Sequence, residues 1–427
     1  MKHLIIISLF FCANGLFAQS LIDIYKKGTV KLVADKEYAQ GNDWEKVFAT
    51  YYDTLYNRPM GDRKSIVLQP DGSVVINHTY RNYYSRFDPK GKFVEEFGIV
   101  NSSGKQLNKI NAIQGVMNNT FFTGLDNMGN MICFDFSGKY VKTLNLNYMA
   151  RNMIPLSNNK FALVGWVIWA KKFRDFVAIV DYHTNEQKIV WDYFTERCDD
   201  DGHCKLFNYS YTFEKGGGFL FSTMPYSKYT GLDSPPQIAF VNNHLVIALP
   251  TTGEILTYTI EGKQVAKEKI GWASTEISVD EQKEIQKAAI DRFNDKFNIK
   301  GTNVSQEEND KAKKSILEQM KDDLNNIKKP IPTPVFTTII KDSDDNLLFF
   351  EIPKESGLNK FNIWIYDNVG KFVGQSSFEC DEYDLSITPS KMVFHNGYIY
   401  SLQTLKDTTG NPLRLVRFKL TSKENNN

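Results

Sequence analysis

The chain is poor in the residues and motifs that announce a particular chemistry. Its 427 residues hold six histidines and five cysteines, and no H-E-x-x-H pair, G-x-S-x-G elbow, Walker loop or dinucleotide fingerprint occurs. A surplus of one charge is missing as well: 51 Lys+Arg stand against 50 Asp+Glu, so nucleic acid is not expected as a bulk electrostatic partner. Long apolar runs are absent after the first residues. FALVGWVIWA (residues 161–170) is closed by Lys171 and Lys172, well short of the ~20 residues a spanning helix needs.

What is present begins with MKHLIIISLFFCANGLFAQS. A basic start, an apolar run over residues 4–11 and a small-residue cut point after Ala18 form the layout of a secretory signal peptide. Residues 1–18 are read as that leader and the protein as exported, to the periplasm or the cell surface. Cys12 offers a lipoprotein reading, which ranks second because Phe11 stands where a small residue is wanted. Losing the leader removes Lys2 and leaves 50 charges of each sign. Of the four remaining cysteines, Cys198 and Cys204 bound CDDDGHC, and a local disulfide is expected there in an oxidising compartment. A cation loop using Asp199, Asp200, Asp201 or His203 is the competing reading, without a matching ligand register. Cys133 and Cys380 sit in strand-like surroundings and are expected as buried thiols.

One frame recurs: FDPKGKFV from Phe87, FDFSGKYV from Phe134, YTIEGKQV from Tyr258 and YDNVGKFV from Tyr366. Period-two alternation flanks each copy, and a glycine able to take positive φ sits at its centre, which together signal a β-hairpin. IVDYHTNEQKIVW is a degraded copy with Asn185 in the glycine's place. A second turn signal precedes each hairpin, as in QPDGSVVI, LSNNKFALV and DSDDNLLFF. Two hairpins make a four-stranded meander of about 40 to 50 residues. Six such units begin near Ile66, Ala112, Met153, Gln237, Thr337 and Lys391, while the turn in FEKGGGFLF (residues 213–221) is left over. The last unit runs out of chain after LRLVRFKL, so TVKLVAD (residues 29–35) is expected to supply its outer strand and remove an exposed edge.

This grammar, exemplified by LQPDGSVVINHTYRNYYSRFDPKGKFVEEF, resembles the six-bladed β-propeller superfamily of the NHL and TolB-like kind, in its exported bacterial form. The resemblance covers residues 29–420 and implies an all-β, six-bladed propeller over residues 19–420, seven blades being the alternative count, with residues 421–427 as a disordered tail. It is nearly silent on activity. An insertion over residues 278–328 changes period. Ser278 with Glu281 and Ser305 with Glu308 form capping boxes. Apolar stripes at Ile285, Ala288, Ala289 and Phe293, and at Ala312, Ile316, Met320, Leu324 and Ile327, read as a helical hairpin. Burial of its own stripe is the expectation; a lid or a docking arm is the functional alternative.

Ligand contact is sought in three loops rich in aromatic and basic groups, over residues 78–86, 166–175 and 223–236. Tyr80, Tyr83, Trp166, Trp169, Tyr226 and Tyr229 offer stacking faces for a sugar or peptide, and Arg81 and Arg174, with Lys171 and Lys228, offer charge for anionic groups. Packing in strands is the competing role for each. DSDDN (residues 342–346) lacks the glycine and distal glutamate of a calcium loop and aligns with plain turns. The reading is a non-enzymatic exported module that binds a protein, carbohydrate or peptide and needs no cofactor. The alternative is a metal-assisted propeller enzyme of lactonase or lyase type, using calcium or another divalent ion on a sugar or peptide derivative.

Overall fold

The recurring frame builds the same turn wherever it falls. In the copy at Phe134, Oδ1 of Asp135 accepts from the amides of Ser137 and Lys139 at 2.9 and 3.0 Å, and Gly138 occupies φ 86°. Asp88 and Asp367 do the same for the amides two and four residues on, and Thr259 does so through its hydroxyl. The side chain after the aromatic thus satisfies turn amides that strand pairing leaves over. Asn185 takes φ 60° in the degraded copy. The valine of the frame has a distinct role: Val94, Val141, Val265 and Val373, with Val190 of the degraded copy, are skipped by the strand register and form β-bulges. A bulge bends the outer strand and strengthens its twist, and it recurs in each of the first five units.

The computed structural model describes residues 20–48, 52–53, 58–59, 65–77, 83–98, 113–117, 120–124, 130–168, 172–196, 207–214, 217–223, 235–272, 274–297, 304–352 and 359–422. Helix α1 (Leu21–Tyr25) leads into β1 (Thr29–Ala34), and α2 (Trp44–Val47) and a short ribbon, β2 (Tyr52–Asp53) with β3 (Arg58–Pro59), follow. Four-stranded antiparallel units come next. The first is β4 (Ile66–Leu68), β5 (Val74–Asn77), β6 (Tyr83–Phe87) and β7 (Phe93–Gly98). The second is β8 (Ile113–Met117), β9 (Thr120–Gly124), β10 (Asn130–Asp135) and β11 (Tyr140–Asn145). The third is β12 (Met149–Pro155), β13 (Lys160–Ile168), β14 (Lys172–Asp181) and β15 (Gln187–Glu196). A ribbon, β16 (Phe207–Thr212) with β17 (Gly218–Thr223), precedes the fourth unit: β18 (Gln237–Val241), β19 (His244–Leu249), β20 (Glu254–Thr259) and β21 (Gln264–Lys269).

A two-residue neck, β22 (Glu276–Ile277) with β23 (Ile331–Pro332), carries α3 (Val279–Lys296) and α4 (Gln306–Asn325). The fifth unit is β24 (Thr338–Lys341), β25 (Leu347–Phe350), β26 (Lys360–Tyr366) and β27 (Phe372–Glu379). After β28 (Tyr383–Asp384), the last unit has β29 (Met392–His395), β30 (Tyr398–Leu405) and β31 (Leu413–Ser422). Its fourth strand is β1, antiparallel to β31 with Leu32 opposite Leu420 and Ala34 opposite Phe418. The chain therefore closes on itself as its missing outer strand requires. β31 runs through Thr421 and Ser422, two residues beyond the expected strand end, because Lys31 and Val30 pair with them. β1 also lies parallel to β27, which joins the fifth and last units into one nine-stranded sheet.

Strand β4 contacts β8, β8 contacts β12, and so on through β18, β24 and β29 back to β4. Each junction between consecutive units has its own apolar cluster: Phe121 and Phe134 with Val75 and Tyr84, Phe122 with Phe161 and Phe176, Val164 and Val177 with Leu245 and Ile247. Phe349 with Val246 and Ala248, Phe350 and Phe378 with Ile399 and Phe418, and Leu402 with Val74 and Ile76 complete the cycle. Fully burying one such side chain stabilises by about 1.5–3 kcal/mol, so stability resides in the junctions rather than within single sheets. This is a β-propeller. Cys133 and Cys380 lie buried and unpaired in it, and burial pushes the Cys133 thiol up to about 12.

The helical insertion buries its stripe on itself and on the ribbon. Phe293, Ile316 and Met320 pack with Tyr209 of β16. Three positions depart from the expected face of α3: Ala288 is exposed, and Gln282 and Gln286 are buried. Both amide nitrogens donate, Gln282 to the carbonyls of Ile277 and Lys329 and Gln286 to the Tyr209 hydroxyl at 3.1 Å, while Oε1 of Gln286 has no hydrogen-bond partner among the described residues. The leftover turn in residues 213–221 thus belongs to the ribbon that carries Tyr209.

Candidate functional site

The innermost strands of the propeller run in one direction. Gln237 and Thr338, at the starts of β18 and β24, are bridged at 3.1 Å, and the Ile66 amide at the start of β4 donates to Ser390 beside β29 at 2.7 Å. Strand starts therefore share one end of the channel, and the second strands finish there. Buried polar side chains gather at this entry end. Ser65 and Asn77 pair at 3.1 Å, the Lys391 ammonium donates to the Ser386 hydroxyl at 3.1 Å, and Gln403 reaches the Ser386 carbonyl. Satisfying one another, they hold the strand ends in register.

Unit three presents a more reactive grouping at the same end. A bulge between Ala150 and Asn152 makes Arg151 the extra residue of β12, and its guanidinium lies 4.7 Å from the centre of the Trp166 ring. Register sets Trp166 of β13 directly opposite Asp175 of β14, and Nη2 of Arg151 stands 4.0 Å from Oδ1 of Asp175. That oxygen is buried and has no hydrogen-bond partner among the described residues. Burial raises the Asp175 carboxyl above its ordinary range, with Arg151 opposing the shift. A cation over an aromatic face, next to an unsatisfied carboxyl, can stack a ring and exchange hydrogen bonds with a polar ligand.

The expected site residues divide. Trp166 belongs to this grouping. Arg174, opposite Val167 rather than Trp166, donates through Nε and Nη2 to Asp192 at 3.2 and 2.7 Å and lies between Phe176 and Phe194. Its charge is spent within unit three. Tyr83 begins β6 opposite Gly98, and its side chain lies outside the described residues. So do Tyr80, Arg81, Trp169, Tyr226 and Tyr229, and the Cys198–Cys204 pairing. Sequence reasoning missed Arg151 and Asp175. Hairpin register carried a signal for Asp175, since alternation counted back from the β13–β14 turn sets it against Trp166; the bulge that aims Arg151 left none. Among the described residues no group of three or more His, Cys, Asp or Glu is arranged to hold a metal ion, and no helix is long and apolar enough to cross a membrane.

No protein-family model matches the chain, and no curated protein matches it. Solved structures do. A member of the DUF4221 family from Bacteroides vulgatus shares 12% identity over 93% of this chain and 100% of its own, with a TM-score of 0.49. Virginiamycin B lyase from Staphylococcus aureus shares 12% over 84% of this chain and 94% of its own, at 0.36. BamB from Moraxella catarrhalis shares 6% over 83% and 81%, at 0.30. Its own sheets, junction clusters and closing strand make the chain a β-propeller.

Proposed function

We propose that the protein is an exported binding module that takes a carbohydrate, peptide or protein ligand at the entry end of its channel. Export rests on the leader-like first 18 residues. The observation that carries the binding reading is the Arg151–Trp166–Asp175 grouping: an aromatic face, a cation and an unsatisfied carboxyl oxygen within one sheet. Ligand pockets need such convergent polar groups beside an apolar surface, and propeller blades hold them on rigid strands. The test is a glycan and peptide array probed with the leaderless chain, with hits quantified by calorimetry. Arg151→Ala and Trp166→Ala are each expected to weaken a hit by about tenfold or more, the range of a lost charged hydrogen bond or stacking contact, with melting of the rest of the propeller unchanged. Hits indifferent to both substitutions would move the site elsewhere. Turnover of a sugar or peptide derivative that depends on a divalent ion would replace this reading with the metal-assisted lactonase or lyase one.

A further inference from the structure

The opposite end of the channel, where the innermost strands finish, opens into a cavity of ≈ 720 Å³. Its walls run along four innermost strands, with Ile154, Phe240, Val393 and Phe394 near their far ends, all only half-buried. A volume of this size that sets apolar walls beside convergent polar groups is what small-molecule sites have in common. The polar groups are Lys341, the turn residues Asp342 to Asp345 that follow it, and His395 and Asn396.

Within the turn the three carboxylates differ. Asp342 is buried and saturated, accepting from the Tyr25 hydroxyl, the Asn346 side chain and the amides of Asp344 and Asn346, all at 2.9 Å. Asp345 is neutralised by Lys341 at 2.5 Å. Asp344 accepts only the Leu21 amide, at 3.0 Å through Oδ2, and makes no ion pair among the described residues. Asp344 is therefore the carboxylate of the lining left open to a cation, in the same cavity as Phe240 and Phe394. The His395 ring is taken up by the Asn396 side chain, which contacts its Nε2 at 3.0 Å.

We propose that this cavity binds a small cationic amphiphile of the arylalkylamine class, its ring against Phe240 and Phe394 and its ammonium on Asp344. The site shares no lining residue with the Arg151–Trp166–Asp175 grouping and stands without the binding role assigned there. The test titrates the leaderless chain at neutral pH with phenethylamine, phenethyl alcohol and phenylacetate, which share a ring and differ in charge. The amine is expected to bind, the alcohol to bind about tenfold more weakly for want of the charged hydrogen bond, and phenylacetate not to compete. Asp344→Asn keeps an acceptor for the Leu21 amide but loses the charge, and is expected to cost the amine about tenfold. Ile154→Trp fills the cavity and is expected to abolish binding; should it fail to fold, Asp344→Asn still decides. Phenylacetate binding as well as the amine, amine binding unchanged in Asp344→Asn, or no binding of any of the three would overturn the proposal.

Discussion

Asp175 is the residue on which the entry-end site turns. Its carboxyl is raised by burial, and Arg151 at 4.0 Å only partly opposes the rise. A carboxyl whose folded value lies above its unfolded one favours the proton in the native state, so its charge costs stability at neutral pH. That cost is relieved as the pH falls through the raised value, and it vanishes once both states are protonated. Asp175→Asn, which has no charge to desolvate, is accordingly expected to melt higher than the parent at neutral pH. The difference should shrink as the pH is lowered into the carboxylate range, followed by thermal melts across that interval. A difference that stays constant or widens on acidification would show that Asp175 is better solvated than its burial implies. Asp35 behaves in the opposite sense. Burial works against its charge, but the hydrogen bonds from Arg417 and the Glu37 amide hold the carboxyl below the usual range, and Arg417 pairs with it at 2.7 Å. Its contribution is present above the unfolded value and lost as the pH falls through the depressed one. Asp35 follows β1 and Arg417 lies on β31, so acid weakens the closing seam while it relieves Asp175.

At the scale of elements, the frame was legible because its chemistry is local. An aspartate, or threonine in the copy at Tyr258, caps the turn after the aromatic, a glycine takes the left-handed position, and both appear in the sequence at fixed spacing. Two of the four glycines at equivalent positions nevertheless differ in surroundings. A Cβ at Gly138 would fall 2.5 Å from the Gly98 carbonyl oxygen, whereas one at Gly370 meets nothing within 4 Å, and both residues have φ near 85°. Gly370→Ala is therefore expected to cost only the backbone penalty, about 1–2 kcal/mol, and Gly138→Ala distinctly more, read as the difference in denaturant midpoints. Equal losses would mean that the junction between the first two units gives way freely. What the frame does not encode is contact between distant residues. Gln282 and Gln286 break the stripe of α3 because Tyr209, 77 positions upstream of Gln286, supplies a hydroxyl for the second and the carbonyls of Ile277 and Lys329 satisfy the first. The Arg151 bulge likewise has no counterpart in any spacing rule, so the sequence pointed to Trp166 and Arg174, which the strands turn to different partners.

For the whole molecule, the decisive feature is that the closing strand comes from the opposite end of the chain. The expectation rested on an accounting argument: the last unit had no residues left for a fourth strand, and TVKLVAD had no other partner. The pairing of β1 with β31 satisfies it. The parallel contact of β1 with β27 lay beyond the reach of that argument, because it depends on how closely two outer strands approach. α1 reinforces the seam by packing Leu21 and Tyr25 into the same cluster as Val30, Phe378 and Phe418. Both channel ends depend on this closure, since each is assembled from strands of several units. The most direct measurement is cysteine pairing across the seam. Val33 and Lys419 face each other in the β1–β31 register and are both exposed. The Val33→Cys/Lys419→Cys chain is expected to form that disulfide under mild oxidation and to melt higher than its reduced form, by closing nearly the full length of the chain into a loop. Failure to cross-link, or cross-linking no faster than Val33→Cys with Arg414→Cys, would contradict the closed propeller.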